Sequence, residues 1–98
     1  MLPLLIREEV LSDLELAFNW YESEKSGLGD ELLEEWENTC EYIRTQPYSA
    51  VQYKRNIRQA RLHRFPFFVM YEIFDETIVI YSVVHSKRHP DLRVRKKK

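Results

Sequence analysis

The hydrophobic residues of this chain are most concentrated in residues 62–90. Two runs rich in β-branched and aromatic residues occur there, separated by the polar pair Asp75-Glu76. Such a pattern predicts two long strands joined by a two-residue turn, which is a β-hairpin. Because both runs are almost entirely apolar, we expect most of both faces of the hairpin to be covered by other parts of the molecule.

The first half of the chain has the periodicity of two amphipathic helices. Over residues 8 to about 23, apolar residues recur at the spacing of one helical face, namely Val10, Leu14, Ala17 and Tyr21, widened by Leu11 and Phe18. A Ser-Gly-Leu-Gly segment then breaks the pattern, and a second helix is predicted from about residue 29 to residue 45, before Pro47. Helices joined by so short a connection form an αα-hairpin, whose apolar side we expect on one face of the sheet.

Two shorter strands complete the predicted sheet, at residues 2–6 and 57–64, whereas residues 47 to about 56 have the composition of a loop. The order β-α-α-β-β-β predicts an α+β fold in which the αα-hairpin packs on one face of a mostly antiparallel four-stranded sheet. Ninety-eight residues suffice for one domain, so we expect residues 1–98 to form a single unit, with residues 93–98 as a disordered basic tail.

The net charge of −1 conceals two halves of opposite sign. Residues 1–50 carry three Lys or Arg and twelve Asp or Glu, whereas residues 51–98 carry twelve and four. A basic half suits a polyanion or an acidic protein partner, although acidic helices and a basic sheet can also complement one another within one domain. The lone Cys40 and the lack of an apolar run of roughly 20 residues indicate a reduced, cytoplasmic setting and no membrane span.

A cationic patch is predicted at one end of the hairpin. His63 and Arg64 precede its first strand, and the second strand is followed by His85, Lys87, Arg88 and His89. An antiparallel hairpin brings these two places to the same end. Histidines that titrate near neutral pH, together with arginines that hold phosphate, have the chemistry of RNA cleavage, but the same groups also suit plain binding of an anion or a protein. No zinc motif is recognisable, so neither a metal nor a cofactor is expected.

A second basic surface is predicted along the strand before the hairpin. There Arg58, Arg61 and Arg64 are spaced to contact a phosphate backbone or an acidic peptide, or simply to face solvent. Trp20 lies off the main apolar stripe of the first helix, so we expect it to be exposed at an interface.

Short distinctive segments follow one another along nearly the whole chain. In order they are Trp20-Tyr21-Glu22, Gly27-Leu28-Gly29, Ile57-Arg58, Arg64-Phe65-Pro66-Phe67, Val69-Met70-Tyr71, Ile78-Val79-Ile80, Val84-His85 and Arg88-His89-Pro90. This ordered combination resembles the RelE/ParE superfamily of bacterial toxins from type II toxin–antitoxin systems. The resemblance implies a compact β-α-α-β-β-β fold and a neutralising antitoxin, usually encoded beside the toxin.

Two branches of the superfamily imply different targets. The RelE-type branch, a ribosome-dependent mRNA endoribonuclease, commonly has an arginine early in the strand that here begins at Phe67, and a tyrosine or histidine near the C-terminus. In this chain Phe68 or a neighbouring apolar residue takes the place of that arginine, and no tyrosine follows Arg88. The Phe-Pro-Phe segment and the ending His85-x-x-Arg88-x-Pro90 are more similar to ParE-type toxins, for which the resemblance implies inhibition of DNA gyrase by binding rather than by catalysis.

The leading hypothesis is therefore a ParE-like toxin that binds DNA gyrase. Its expected target-binding residues are Arg64, His85, Lys87, Arg88 and His89. In the alternative of a RelE-type nuclease, the expected catalytic residues are His85, Arg88 and Arg64. A third alternative is a non-toxic interaction module of the same fold. An antitoxin tail that folds on binding is expected to contact Arg58, Arg61 and Trp20, and both a homodimer and a toxin–antitoxin hetero-oligomer are compatible with the sequence.

Overall fold

The computed structural model describes residues 1–87 of the chain. Its elements are, in chain order, β1 (Leu4–Ile6), α1 (Glu8–Glu24), α2 (Leu28–Thr45), β2 (Val51–Lys54), β3 (Ile57–Arg61), β4 (Phe67–Phe74) and β5 (Thr77–His85). The strands form one sheet in the spatial order β1-β5-β4-β3-β2, in which β1 is parallel to β5 and every other pair is antiparallel. The predicted α+β class and mostly antiparallel sheet are confirmed, whereas the predicted tail 93–98 lies outside the described residues.

The strand β2 makes the sheet five-stranded rather than four-stranded, because it lies in residues 47–56, which the sequence predicts as a loop. It pairs with β3 at the edge of the sheet, and an irregularity at Tyr53 shifts its register. Three of its four residues are exposed. A strand with no buried face does not alternate apolar and polar residues, so the pattern that predicts the other strands is missing here. The strand β3 also ends at Arg61 rather than at the predicted residue 64.

The predicted hairpin is formed by β4 and β5, with Asp75 and Glu76 as its two-residue turn. Both turn residues have positive φ angles, 54° and 60°, as a type I′ turn requires, and this turn matches the twist of the two strands. Further along, the register shifts by one residue at Tyr81, which forms a β-bulge. Beyond the bulge, Val83 rather than Ser82 continues the buried face of β5.

One hydrophobic core lies between the two helices and one face of the sheet. The sheet contributes the fully buried residues Val69, Tyr71, Ile78 and Ile80. The helices contribute Val10 and Leu14 from α1, and Leu32, Trp36, Cys40 and Ile43 from α2. The predicted apolar stripe of α1 is thus confirmed, except that Leu11 is 54% exposed at its margin.

The tight connection between the helices is held by Glu22, near the end of α1. Its two carboxylate oxygens accept hydrogen bonds from the backbone N–H groups of Gly27 and Gly29, both at 2.8 Å. N–H groups at the start of a helix have no partner within that helix, so Glu22 caps α2 from its neighbour. Gly27 has a φ of +91°, and a Cβ added to Gly29 would lie 2.6 Å from the ring of Phe18, so this segment needs both of its glycines.

The opposite face of the sheet, which we call the open face, is not covered by any element of residues 1–87, because both helices pack on the same side. It is formed by the side chains that alternate with those of the core, among them Leu5, Arg61, Phe68, Glu72, Phe74, Val79 and Tyr81. The expectation that both faces of the hairpin are covered is therefore met for one face in the described part of the chain.

Candidate functional site

The two segments at the end of the hairpin meet, as the sequence predicts. Phe67 pairs with His85 across β4 and β5, and the backbone N–H of Ser86 donates a hydrogen bond to the carbonyl of Pro66 at 2.7 Å. The His85 ring packs edge-on against the Phe67 ring, with 5.2 Å between the two centroids. Its Nδ1 atom accepts a hydrogen bond from the backbone N–H of Lys87 at 3.1 Å, which fixes the orientation of the imidazole.

Arg64, predicted for the same patch, binds helix α2. Its guanidinium forms an ion pair with the carboxylate of Glu31, and its backbone N–H donates to the carboxylate of Glu35 at 3.0 Å. The guanidinium also lies 5.5 Å from the centroid of the Phe65 ring. An arginine that already holds a carboxylate has to exchange it before it can bind a phosphate. The geometry therefore favours a structural role, in which Arg64 ties the loop between β3 and β4 to α2.

The predicted cationic patch is only partly within the described residues, because Arg88 and His89 lie outside them. Among residues 1–87, no group of three histidine, cysteine or acidic side chains could hold a metal ion. Burial raises the pKa of the Cys40 thiol to about 12, so it has very little thiolate at neutral pH. No helix in this part of the chain is long and apolar enough to cross a membrane.

Arg58, predicted to contact the antitoxin, holds the segment that follows α2. Its guanidinium donates hydrogen bonds to the carbonyls of Tyr48 and Ala50, at 3.1 and 2.9 Å, and lies over the Tyr48 ring. The hydroxyl of the buried Tyr71 donates to the neighbouring carbonyl of Pro47 at 2.7 Å. Together these contacts anchor the chain between α2 and β2 to the core, so Arg58 contributes to the fold.

Arg61, the other predicted antitoxin contact on β3, lies on the open face. It pairs with Phe68 of β4, and its guanidinium is 5.5 Å from the centroid of the Phe68 ring. Phe68 or a neighbouring apolar residue is predicted at the strand position at which the resemblance implies an arginine in the RelE-type branch. The open face therefore has a cation near this position, but one supplied by the neighbouring strand and stacked on an aromatic ring.

Trp20 is exposed, as predicted, and lines a groove of about 570 Å³ between α1 and the end of β5, which we call the α1–β5 groove. Its ring packs edge-on against Tyr21, with 4.9 Å between centroids. The groove is lined by Asp13, Leu16, Ala17, Trp20, Tyr21, Phe67, Val83, Val84 and His85. Sequence reasoning missed that Trp20 and His85 share one groove. The available signal is the length of β1, whose three residues leave the end of the nine-residue β5 without a strand neighbour on that side within residues 1–87.

A second arrangement that sequence reasoning missed joins Glu72 and Tyr81 on the open face. The Tyr81 hydroxyl donates a hydrogen bond to the Glu72 carboxylate, and this bond raises the pKa of Tyr81. The guanidinium of Arg7 lies 5.9 Å from the centroid of the Tyr81 ring. The one acidic residue within the apolar strand β4 is the signal that points to a polar partner on the adjacent strand.

A family model described as the ParE toxin of the type II toxin–antitoxin system parDE matches residues 4–90. This chain belongs to the ParE toxin family. A search of curated protein sequences found no match. The family assignment agrees with the order of elements and with the resemblance in the sequence.

Solved structures of two toxin systems have the same fold as this ParE-family chain. One chain of the chromosomal ParDE toxin–antitoxin system from P. aeruginosa matches with a TM-score of 0.65 and 15% identity, covering 87% of this chain and 96% of that one. The isolated E. coli RelE toxin matches with a TM-score of 0.65 and 15% identity, covering 99% and 97%. Because both match with the same TM-score and the same identity, the fold alone does not separate ParE-like from RelE-like proteins, and residue chemistry has to do so.

Proposed function

We propose that this protein is the toxin of a type II toxin–antitoxin system, that it inhibits DNA gyrase by binding it, and that a cognate antitoxin neutralises it. The family match over residues 4–90 carries this proposal. The similar fold of a chain from the P. aeruginosa ParDE toxin–antitoxin system supports an antitoxin partner. A gyrase target implies that the protein acts in the bacterial cytoplasm.

Binding without catalysis is supported by the state of the described cationic groups. A ribonuclease of this kind needs a base, an acid and a cation that converge on one phosphate. Here the guanidinium of Arg64, a candidate phosphate-binding cation, is already paired with the carboxylate of Glu31. Phe68 or a neighbouring apolar residue stands where the nuclease branch commonly has an arginine. These features favour gyrase binding over RNA cleavage.

The antitoxin, in this proposal, occupies the α1–β5 groove. Leu16 and Trp20 are 69% and 59% exposed on consecutive turns of α1. Large apolar side chains that are exposed side by side are typical of protein interfaces. Phe67 and Val83 also line the groove, so an amphipathic antitoxin segment can bury its apolar residues there. Of the predicted antitoxin contacts, Trp20 fits this site, whereas Arg58 already binds two backbone carbonyls.

A supercoiling assay with purified gyrase tests the proposal. We expect the full-length protein to inhibit ATP-dependent supercoiling of plasmid DNA, and the antitoxin encoded beside it to restore supercoiling when added in equimolar amount. A protein that leaves supercoiling unchanged at a large molar excess over gyrase would contradict the proposal.

Pulse-labelling of bacteria that lack the antitoxin distinguishes the proposal from its alternatives. We expect DNA synthesis to stop within minutes of induction while translation continues. Early arrest of translation with continuing replication would favour a RelE-type nuclease, an alternative supported by the similar fold of the E. coli RelE toxin. Unaffected synthesis of both would favour the non-toxic interaction module.

A further inference from the structure

The open face of the sheet is largely apolar, yet no element of residues 1–87 covers it. The strand register places Leu5, Val79 and Glu72 side by side in one row, and Val84, Phe68 and Arg61 side by side in another. Leu5 and, near the hairpin turn, Phe74 are 57% and 67% exposed. An antiparallel sheet with one solvated face normally has polar residues on that face, so apolar rows here indicate a binding surface.

The charged groups of the open face are arranged for an acidic partner. Arg61 lies over the Phe68 ring and Arg7 over the Tyr81 ring, at 5.5 and 5.9 Å from the centroids, and Arg7 also pairs with the carboxylate of Glu9 at 3.5 Å, which leaves Arg61 as the cation offered to a partner. The carboxylate at the centre of the face, that of Glu72, accepts a hydrogen bond from Tyr81.

Arg61 has no ion-pair partner within residues 1–87, although this part of the chain carries fifteen Asp or Glu and nine Lys or Arg. A guanidinium that rests on an aromatic ring and pairs with no carboxylate of residues 1–87 is available to a carboxylate of another protein.

We propose that the open face is the surface with which this toxin binds its target, and that it takes an apolar, acidic segment of the target protein. The inference rests on the proposed function, which supplies DNA gyrase as the target. In the complex, apolar side chains of gyrase cover Leu5 and Val79, and a gyrase carboxylate pairs with Arg61.

A protein segment fits this surface better than a nucleic acid does. A nucleic-acid strand needs a row of cations that follows its phosphates. The open face instead has Arg61, Arg7 and Lys54 set around rows that contain the apolar side chains of Leu5, Val79, Val84 and Phe68. Apolar area with few, separated cations is the composition of a protein–protein interface.

The open face is also distinct from the α1–β5 groove, because the two surfaces lie on opposite sides of the sheet and approach one another only at the end of β5. Apart from Val84, which belongs to both surfaces, target binding and antitoxin binding therefore depend on different residues. A substitution on the open face reduces gyrase inhibition without reducing antitoxin affinity.

Charge reversal at Arg61 tests the inference with purified full-length proteins. Arg61→Glu should raise the concentration of toxin that half-inhibits gyrase supercoiling by at least about tenfold, because like charges then meet across the interface. Leu5→Gln, at an exposed position on the same face, should raise it severalfold. Lys25→Glu is the control, because it reverses a charge at the exposed C-terminal end of α1. It should change the half-inhibitory concentration less than about twofold. Circular dichroism and thermal unfolding show whether each variant folds.

The outcomes separate this inference from the proposed function. If the unmodified protein does not inhibit gyrase, the proposed function is wrong, and the assignment of gyrase to this face fails with it. If the protein inhibits gyrase and folded Arg61→Glu and Leu5→Gln inhibit equally well, only the open-face assignment is wrong. Loss of antitoxin affinity in Arg61→Glu, or binding of a single-stranded oligonucleotide that this variant abolishes, would also overturn it. Selective loss of gyrase inhibition in both open-face variants would support it.

Discussion

The cap that Glu22 forms on α2 leads to the sharpest prediction about stability. In Glu22→Ala, the N–H groups of Gly27 and Gly29 lose their acceptors, each at 2.8 Å in the native protein. A hydrogen bond to a charged group contributes about 1.5–3 kcal/mol, and a carboxylate at a helix N-terminus adds about 0.3–1 kcal/mol. Because the site is only partly buried, water replaces part of this interaction. We therefore expect the free energy of unfolding to fall by about 2–3 kcal/mol.

The loss can be measured by urea unfolding, followed by the fluorescence of the tryptophans, of which Trp36 is buried. In thermal unfolding the midpoint should fall by about 10–20 °C, since 1 kcal/mol corresponds to about 4–8 °C for a domain of this size. Glu22→Gln keeps one acceptor oxygen and removes the charge, so its loss should be intermediate.

Glu24→Ala is the matched control, because it removes the same charge from the same turn of α1, at an exposed position. Its free energy of unfolding should change by less than about 0.5 kcal/mol. If Glu22→Ala and Glu24→Ala unfold at the same urea concentration, the two hydrogen bonds do not stabilise the connection and this reasoning is refuted.

Three further predictions concern the same fold and its proposed antitoxin site. Gly29→Ala should destabilise the protein by about 1–3 kcal/mol in urea unfolding, because the new Cβ would lie 2.6 Å from the Phe18 ring; an unchanged midpoint would mean that the ring moves freely. Burial raises the pKa of Tyr71 to about 12 from 10.0, so the folded state holds this proton more tightly than the unfolded state does. The contribution of this pKa shift to the free energy of unfolding should be constant below pH 10 and fall between pH 10 and 12. Tyr71→Phe should weaken that dependence and cost about 1 kcal/mol for the lost hydrogen bond, as measured by urea unfolding at several pH values. Trp20→Ala should lower antitoxin affinity at least about tenfold by titration calorimetry, and an unchanged affinity would exclude the α1–β5 groove as the antitoxin site.

The helices, the hairpin and its turn at Asp75 and Glu76 are predictable from the chain, because periodicity records which side of an element is buried. The strand β2 is not, since it has no buried face to record. Nor does the sequence reveal the bulge at Tyr81, which decides that Val83 rather than Ser82 faces the helices. A register shift of one residue exchanges the two faces of a strand. The alternation of side chains nevertheless continues unchanged before and after the bulge, so the sequence does not reveal it.

The candidate site divides in the same way. The local pattern predicts that Trp20 is exposed, and it contains the residues that carry the resemblance. The geometry of an antiparallel pair predicts that the hairpin ends converge. The pairing of Arg64 with Glu31, 33 residues away, follows only from the packing of α2 against the loop before β4. The groove that brings Trp20 and His85 together follows only from the packing of α1 against β5. A side chain's partner across such a distance depends on how whole elements pack, and no local pattern of apolar and polar residues encodes that.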